Sequence, residues 1–560
     1  MIIELKKYNG KTKNNISKMS VISFVGVFID EKGIISSDIQ VLQRQLDVID
    51  IFDNQAIQAF FHAIEGYFLL FYQREGVSIV ANDRLNTYPV FYSFCNEGIV
   101  ISDEANFVVN KCGPLVQNNQ AIVDFILCGY VTGEQTLARG LHRLESGNCI
   151  VVRENQKKKI HIINCFDYIP RFSKKNETRN ELNDTFYQIL LSSFQRLAKY
   201  INEFEKIPVV PLSGGYDSRL IAVMLKKVGI QNAICYTYGT RLHPEVIKSK
   251  EIADRLGYEW KFCPYTKEKW DDVYPSTEME RFLRYSSGNS ITPHTMDFIA
   301  VKELFSNYNE SLLFLPGHTM DVIAGSHLPI LSSFSFLPKY IVASLVQKKH
   351  YTFHEIYFRE KMNINCRIKR QYKEIKKKYK IKSNEFFDFW DIKERQTKLI
   401  ANSLQIYMFF GFDWYMPFWE SEYVDFFLSL PPRLRYKQLF HKQVLHEKIP
   451  EFFPKFDVKK VSKWRLIIIL IKELISWPFD DLNKMIQRKK YKFIQYRGLA
   501  ANYGFNRFCA VDSNFDNLET FAKFFVKKTG IQRIFYFFAI KYLTRNDFDL
   551  SFLDNRYFKG

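Results

Sequence analysis

No cysteine occurs before Cys95, and the nine cysteines of the 560-residue chain form neither a C-x-x-C pair nor a C-x-x-H cluster. An odd number of scattered thiols argues against a disulfide framework, and the missing pairs argue against a zinc site. The opening MIIELKKYNGKTKNN has no apolar run behind its charges, so no secretory signal is expected there. Long hydrophobic runs are missing too. The most apolar stretch, Trp464–Trp477, has an uninterrupted core of only Leu466–Ile471, far short of the ~20 residues of a spanning helix. Lys459, Lys460 and Lys463 before it, and a Trp at each end, would suit an interfacial helix. A buried helix in an aromatic-rich chain accounts for the same letters and is the expectation adopted. Free thiols and no export signal together fit a reducing cytoplasm.

Acid is in short supply, with 60 Asp+Glu against 79 Lys+Arg and a net charge of +19. Such an excess would suit nucleic acid or an anionic membrane. The chain is also rich in Lys, Ile, Asn, Phe and Tyr together, however, a joint bias that A/T-rich codons produce without selection for charge. Its densest basic run, Arg367–Ser383, holds nine basic residues and one acid and reads as a solvated helix face. No RNA-binding module is recognisable, and no nucleic-acid partner is expected. At 47% hydrophobic and 25% charged residues the composition is that of a folded chain of several domains.

From Val21 to about Asp167, short runs rich in Val, Ile, Phe and Tyr alternate with Asn, Asp and Gly, which predicts a largely antiparallel region. Two helical pieces interrupt it, roughly Asp38–His62 and Asn119–Cys128. After Pro170 a polar linker leads to a helix near Glu181–Phe204, and then strands and helices alternate. The strands are Ile207–Leu212, Ala233–Tyr238, Tyr258–Pro264 and Leu312–Leu315; the helices are Asp217–Val228 and Pro244–Leu256. This alternation demands crossover connections and predicts a doubly wound parallel sheet of α/β class. The remainder from about Ser332 reads mainly as helix.

Ser213-Gly214-Gly215-Tyr216-Asp217-Ser218 lies where an apolar strand turns into a helix. Amides freed at a helix start, with glycines allowing close approach, make an anion site, and the hydroxyls of Ser213 and Ser218 add donors. Asp217 would repel phosphates unless a cation lay between, which points to Mg²⁺. A bare Ser-Gly-Gly turn would be no more than a helix start, with Asp217 favoured by the dipole. The six-residue string after a buried strand is more specific. It is not a Walker A loop, because no G-K-[ST] follows, so the expected cleavage is between the α- and β-phosphates of ATP.

At these residues the chain resembles the N-type ATP pyrophosphatases, and among them the asparagine synthetase-like amidotransferases, whose S-G-G-x-D-S signature matches Ser213–Ser218. The resemblance extends to Cys235–Gly239, similar to the family's adenine-side strand, which brings in Tyr238 and Gly239. It includes Pro316-Gly317-His318-Thr319-Met320-Asp321 through Gly325, similar to the second acidic loop. Tyr415–Glu420 through Pro432 looks like a later family segment, and Lys442 matches a lysine common in the helix that follows. Upstream, Gly66–Phe68, Asn82–Arg84 and Pro89–Tyr92 look like strands of the family's N-terminal Ntn-type glutaminase domain, and Leu127–Gly147 like the segment joining the two domains. The resemblance covers roughly residues 21–455.

It implies an N-terminal extension (1–20), a glutaminase-like domain of αββα layers (21–168), a synthetase domain (178–455) and a helical C-terminal extension (456–560). It also implies an ATP- and Mg²⁺-dependent ligase that adenylates a substrate carboxylate and lets ammonia or an amine displace AMP. Leu212, Ser213, Gly214, Gly215, Tyr216, Asp217, Ser218, Tyr238, Gly239, Pro316 and Gly317 would bind the nucleotide. Asp217 and Asp321 would hold the metal. Asp217, His318, Asp321 and Lys442 would act in catalysis, with Lys460 and Lys463 as weaker candidates.

Two departures stand out. The family's glutaminase uses an N-terminal cysteine as nucleophile, and its place here is taken by Ile22, behind about twenty further residues. The N-G-E motif that binds glutamine is missing between Asp30 and His62. Glutamine hydrolysis is therefore expected to be lost. In the second loop His318 stands where the family has Glu; with a pKa near about 6.5 it either keeps a proton-handling role or is a satisfied loop histidine. The E-R-Q run Glu394–Gln396 is similar to members associated with bacterial surface-polysaccharide synthesis, in which a sugar carboxylate would be the acceptor. A pyrophosphatase-loop enzyme acting on tRNA, a ring-closing amide synthetase and a non-catalytic homologue are the competing readings. No transmembrane span is expected, and a homodimer is compatible with the chain.

Overall fold

A computed structural model describes residues 2–454, apart from 6, 9, 18, 97, 155–158, 174–176, 309–310, 319 and 353–357, together with scattered positions beyond 454. Lys460, Lys463 and most of 456–560 lie outside the described residues.

The first part is built from two sheets. The larger has the order Lys159–Asn164, Asn148–Arg153, Val77–Asn82, Glu65–Arg74, Ser20–Ile29 and Lys13–Ile16, all antiparallel, with the short Ile35–Ser36 also pairing Ser20–Ile29. The smaller has the order Ile2–Glu4, Gly98–Ser102, Phe91–Cys95 and His142–Arg143, and its first pair is parallel. Residues before Val21 thus add a strand to each sheet.

Side chains alternate across a strand, and Ser20–Ile29 shows the consequence. Ile22, Phe24 and Phe28 join a core shared with helices Ile39–Asp47 and Asn54–Ala63, whereas Val25 joins the core between the sheets. Helix Ala105–Cys112 covers the other face of the smaller sheet through Val108. The layers are therefore helix, sheet, sheet, helix. The single helical piece expected over Asp38–His62 is two helices, because Asp53 breaks it. Its carboxylate accepts the N–H groups of Gln55 at 2.9 Å and Ala56 at 3.2 Å, capping a new helix start. Helix Ala105–Cys112 had no counterpart in the expectation of two helical pieces; at eight residues it is too short for a helical period to stand out.

The second part starts with helix Arg179–Glu203, closed at its N-terminus by a Thr178–Glu181 capping box. A five-stranded parallel sheet follows in the order Glu259–Pro264, Ile234–Gly239, Ile207–Pro211, Leu312–Phe314 and Asp413–Trp414. The central strand is apolar because both its faces are covered, as parallel strands require. Helix Phe358–Tyr379 carries the basic run; Ile364, Ile368 and Tyr372 are its buried stripe, while Arg370, Lys373, Lys376 and Lys377 are exposed. Arg367 departs from a solvated face, holding the buried Asp124 with two bonds at 2.6 and 2.9 Å. Trp464, Ile467, Ile468 and Ile471 are exposed, against the expectation of a buried helix; the rest of Trp464–Trp477 lies outside the described residues. No described helix is long and apolar enough to cross a membrane.

Arg435 is fully buried, donating to the carbonyls of Ile323 at 3.0 Å and Leu430 at 3.2 Å and to both carboxylate oxygens of Asp388. Removing one partner of a buried ion pair strands the other charge, so Arg435→Leu should lower stability by about 3–5 kcal/mol. Urea unfolding checks this, and Arg435→Leu combined with Asp388→Leu should recover part of the loss.

Candidate functional site

The strand Ile207–Pro211 is flanked on one side by the strand that follows it, Ile234–Gly239, and on the other by Leu312–Phe314, from much later in the chain. Strand order reverses there, and in open α/β sheets the crevice beyond the carboxyl ends at such a point is where ligands bind. Two loops leave the sheet into that crevice, Ser213–Gly215 and Pro316–Met320.

The first loop is tied down from within and from below. Ser218 Oγ accepts the Ser213 N–H at 3.1 Å and lies 3.2 Å from Ser213 Oγ. Gly214 has φ +72°, and a Cβ there would lie 3.0 Å from Lys248 Cβ and 3.1 Å from the Glu245 carbonyl oxygen, which leaves room for glycine only. Arg219 donates to the Gly214 carbonyl at 2.6 Å and to the Phe452 carbonyl at 2.8 Å. Helix Tyr216–Lys227 then begins after Gly215, and the amides of its first turn have no intrahelical partner.

The second loop lies directly on the first. A Cβ at Gly317 would come within 2.8 Å of the Ser218 nitrogen and 3.1 Å of Asp217 Cβ. The Asp321 N–H donates to Asp217 Oδ2 at 3.2 Å, and the Ser326 hydroxyl to Asp321 Oδ2 at 2.8 Å. Two carboxylates from distant parts of the chain thus share one corner. Asp217 touches the cleft but is recessed in protein; burial pushes its carboxyl well above the usual range and the Asp321 charge adds to this, while the Asp321 N–H and Lys442 oppose it. A pair of neighbouring carboxylates is a donor set that suits Mg²⁺, which takes one or two carboxylates and completes its shell with phosphate and water oxygens. Among the described residues no cluster of three or more His, Cys, Asp or Glu side chains is placed for a metal.

The cleft above the loops measures about 440 Å³. Of the residues singled out in the sequence, Leu212, Ser213, Gly215, Tyr216, Asp217, Ser218, Tyr238, Pro316, Gly317, His318 and Asp321 line it. Gly214, Gly239 and Lys442 do not. Gly214 forms the underside of the turn, and Lys442 lies against Tyr216, its Nζ 5.5 Å from the ring centre. Burial lowers the Lys442 ammonium against the pull of Asp217 and Asp321. Burial also lowers the His318 imidazole, against Asp297 and Asp321, and pushes His294, 6.2 Å away ring to ring, down to about 4. Both rings are neutral near pH 7.

No protein-family profile and no curated protein matches the chain. Solved structures do. Glutamine phosphoribosylpyrophosphate amidotransferase from B. subtilis, complexed with ADP and GMP, is similar over 45% of this chain and 72% of its own, at 13% identity and a TM-score of 0.20. The allosteric regulatory enzyme of purine biosynthesis is similar over 45% of this chain and 62% of its own, at 11% identity and a TM-score of 0.19. At these scores the likeness assigns neither a family nor an activity.

The cleft holds residues that no sequence motif marked. Asp297 accepts hydroxyls from Tyr236 at 3.0 Å, Tyr407 at 3.3 Å and Tyr238, fixing part of the cleft wall. Glu245 and His327 contribute from helix and loop, and Arg395, Gln396 and Ile400 from Asp391–Ile400, a π-helix. The wider turn sets residues five apart above one another, so Arg395 and Ile400 face the cleft together. Only Glu394–Gln396 had carried a sequence signal. This helix is clamped to the first part of the chain: Gly133 N–H donates to Glu394 Oε2 at 3.0 Å, and Lys398 donates to the carbonyls of Val131 at 3.1 Å and Gly133 at 2.8 Å.

A carboxyl whose folded pKa is raised contributes stability that is full below the unfolded value, about 3.9, and is lost as pH rises through the folded one. In EDTA, Asp217→Asn should therefore unfold at higher urea than the parent at pH 7, with the gap closing below about pH 4. Gly317→Ala must push the second loop off the first; its far-ultraviolet circular dichroism should stay parental, while the stability gap between the parent and Asp217→Asn at pH 7 should shrink as the two carboxylates move apart.

Proposed function

We propose that the chain is an ATP-dependent, amide-forming ligase of asparagine synthetase type. The observation that carries this reading is the meeting of the two loops at the sheet's switch point, which sets the amides of a helix start beside Asp217 and Asp321. The amides and hydroxyls of Ser213–Ser218 would bind the pyrophosphate portion of ATP. Asp217 and Asp321 would hold Mg²⁺, which supplies neutralising charge to the phosphates. Tyr238 and the strand leading to Gly239 border the end of the cleft suited to the adenosine.

An oxygen of the substrate carboxylate bonds to the α-phosphorus as the bond to the bridging oxygen of pyrophosphate breaks, giving an acyl-adenylate. Ammonia or an amine then adds to the acyl carbon and AMP leaves with the bonding pair, so the attacking nitrogen must shed a proton. His318, neutral and at the cleft wall, is the group suited to receive it. Lys442 acts through Tyr216 and the Asp217 corner, tempering negative charge there.

In the first part, an Ntn glutaminase-like domain without glutaminase chemistry fits best. Ile22 is wholly buried, paired across the sheet with Tyr72 and Asn15. A buried isoleucine offers no nucleophile, which makes free ammonia or a substrate amine the nitrogen source.

The test is ATP–pyrophosphate exchange with a panel of carboxylates. At least one should drive exchange, and Asp217→Ala should reduce it by about 10²–10³-fold, the scale on which one charge-stabilising group acts. If no carboxylate supports exchange and ATP is not bound, the reading fails. Glutamine should not be hydrolysed, and ammonium should serve in its place.

A further inference from the structure

A second cavity of about 550 Å³ adjoins the nucleotide cleft, sharing Val322 and His327 with it. That is the size range of pockets that enclose whole small-molecule ligands. Its walls are apolar, formed by Leu328, Ile330, Leu345, Val346, Phe387 and Tyr436. Its charged lining is lopsided. Lys349 and Lys437 stand at its edge, and the acids are already engaged. Asp388 is gripped by Arg435, and Asp391 accepts from Gln396 Nε2 at 2.7 Å and faces His327 Nδ1 at 2.6 Å. Burial alone would raise the Asp391 carboxyl, yet His327, His350 and Arg395 together hold it well below the usual range.

One polar group points to a ligand. His350 is only 8% exposed, its ring lies 4.5 Å from that of Trp390, and its Nε2 is 3.9 Å from Asp391, yet its buried Nδ1 has no partner among the described residues. A buried nitrogen left unpaired costs free energy that a bound polar group would recover. Gln396 stands at the boundary: its amide nitrogen is spent on Asp391, while its buried Oε1, an acceptor, has no partner among the described residues.

We propose that this chamber binds a carboxylic acid with an apolar aliphatic or aromatic body and no free ammonium group, its carboxylate running past His327 towards the cleft. An ammonium would meet lysines and acids already bound; a carboxylate meets Lys349 and the unpaired edge of His350, and an apolar body fits the remaining walls. That this acid is the acceptor of the adenylation step rests on the ligase reading; that the chamber selects such an acid does not.

Calorimetric titration of the full chain without nucleotide separates the two. The probes are 3-phenylpropionate, L-phenylalanine, which differs by its α-ammonium, and D-glucuronate, which lacks the apolar body. 3-Phenylpropionate should bind at least tenfold more tightly than either. Leu345→Trp, which fills the chamber from a half-buried position, should weaken it at least tenfold while keeping the thermal shift given by Mg-ATP; Ile330→Trp does the same from another wall if the first variant folds poorly. Equal or tighter binding of phenylalanine or glucuronate, no binding of 3-phenylpropionate, or indifference to both tryptophans overturns the proposal. Binding of 3-phenylpropionate with no exchange by any carboxylate removes the ligase reading and leaves the chamber's selectivity standing.

Discussion

The contact between Gly317 and the start of the helix Tyr216–Lys227 is the constraint on which the site depends. Two strands in parallel register, Val209 beside Phe314, deliver their following loops at the same height. Without a side chain at 317 the second loop closes onto the amide of Ser218, and the Asp321 N–H reaches the Asp217 carboxylate. The price is two acids in one recess, a repulsion that protein dipoles relieve only partly. Two acids held together against their repulsion are a more usual mark of a binding site than of a folding device.

The cleft is also an interdomain product. Its far wall, the helix Asp391–Ile400, accepts a hydrogen bond through Glu394 from Gly133 and donates through Lys398 to the carbonyls of Val131 and Gly133, in the first part of the chain. A second tie runs from the Tyr67 hydroxyl to the Met416 carbonyl at 2.6 Å, beside Trp414 and Tyr415. The first part of the chain therefore shapes the cleft from behind.

What was legible in the sequence follows from how local each signal is. The parallel sheet and both loops could be read because strand, glycine turn and helix are consecutive, and the helix Pro244–Leu256 could be bounded to the residue by Pro244 at its start and Gly257 after its end. Asp297 could not be read, because its role depends on three tyrosines from one strand and a distant helix. The Asp53 cap was hidden by the apolar pair Ile51–Phe52 just before it, which carries the helical pattern across the break. Lys442 was found as a residue of the right kind but stands behind Tyr216 rather than in the cleft, a distinction that motif spacing does not encode.

The π-helix that separates cleft from chamber has a consequence for how this scaffold diversifies. A wide turn is related to an ordinary α-turn by a single extra residue. Deleting one residue within Asp391–Ile400 would tighten the helix locally and change which side chains stand at the boundary in place of Arg395 and Gln396. The partition between cleft and chamber is therefore the place where a one-codon insertion or deletion can alter the lining of both without redesigning the fold around them.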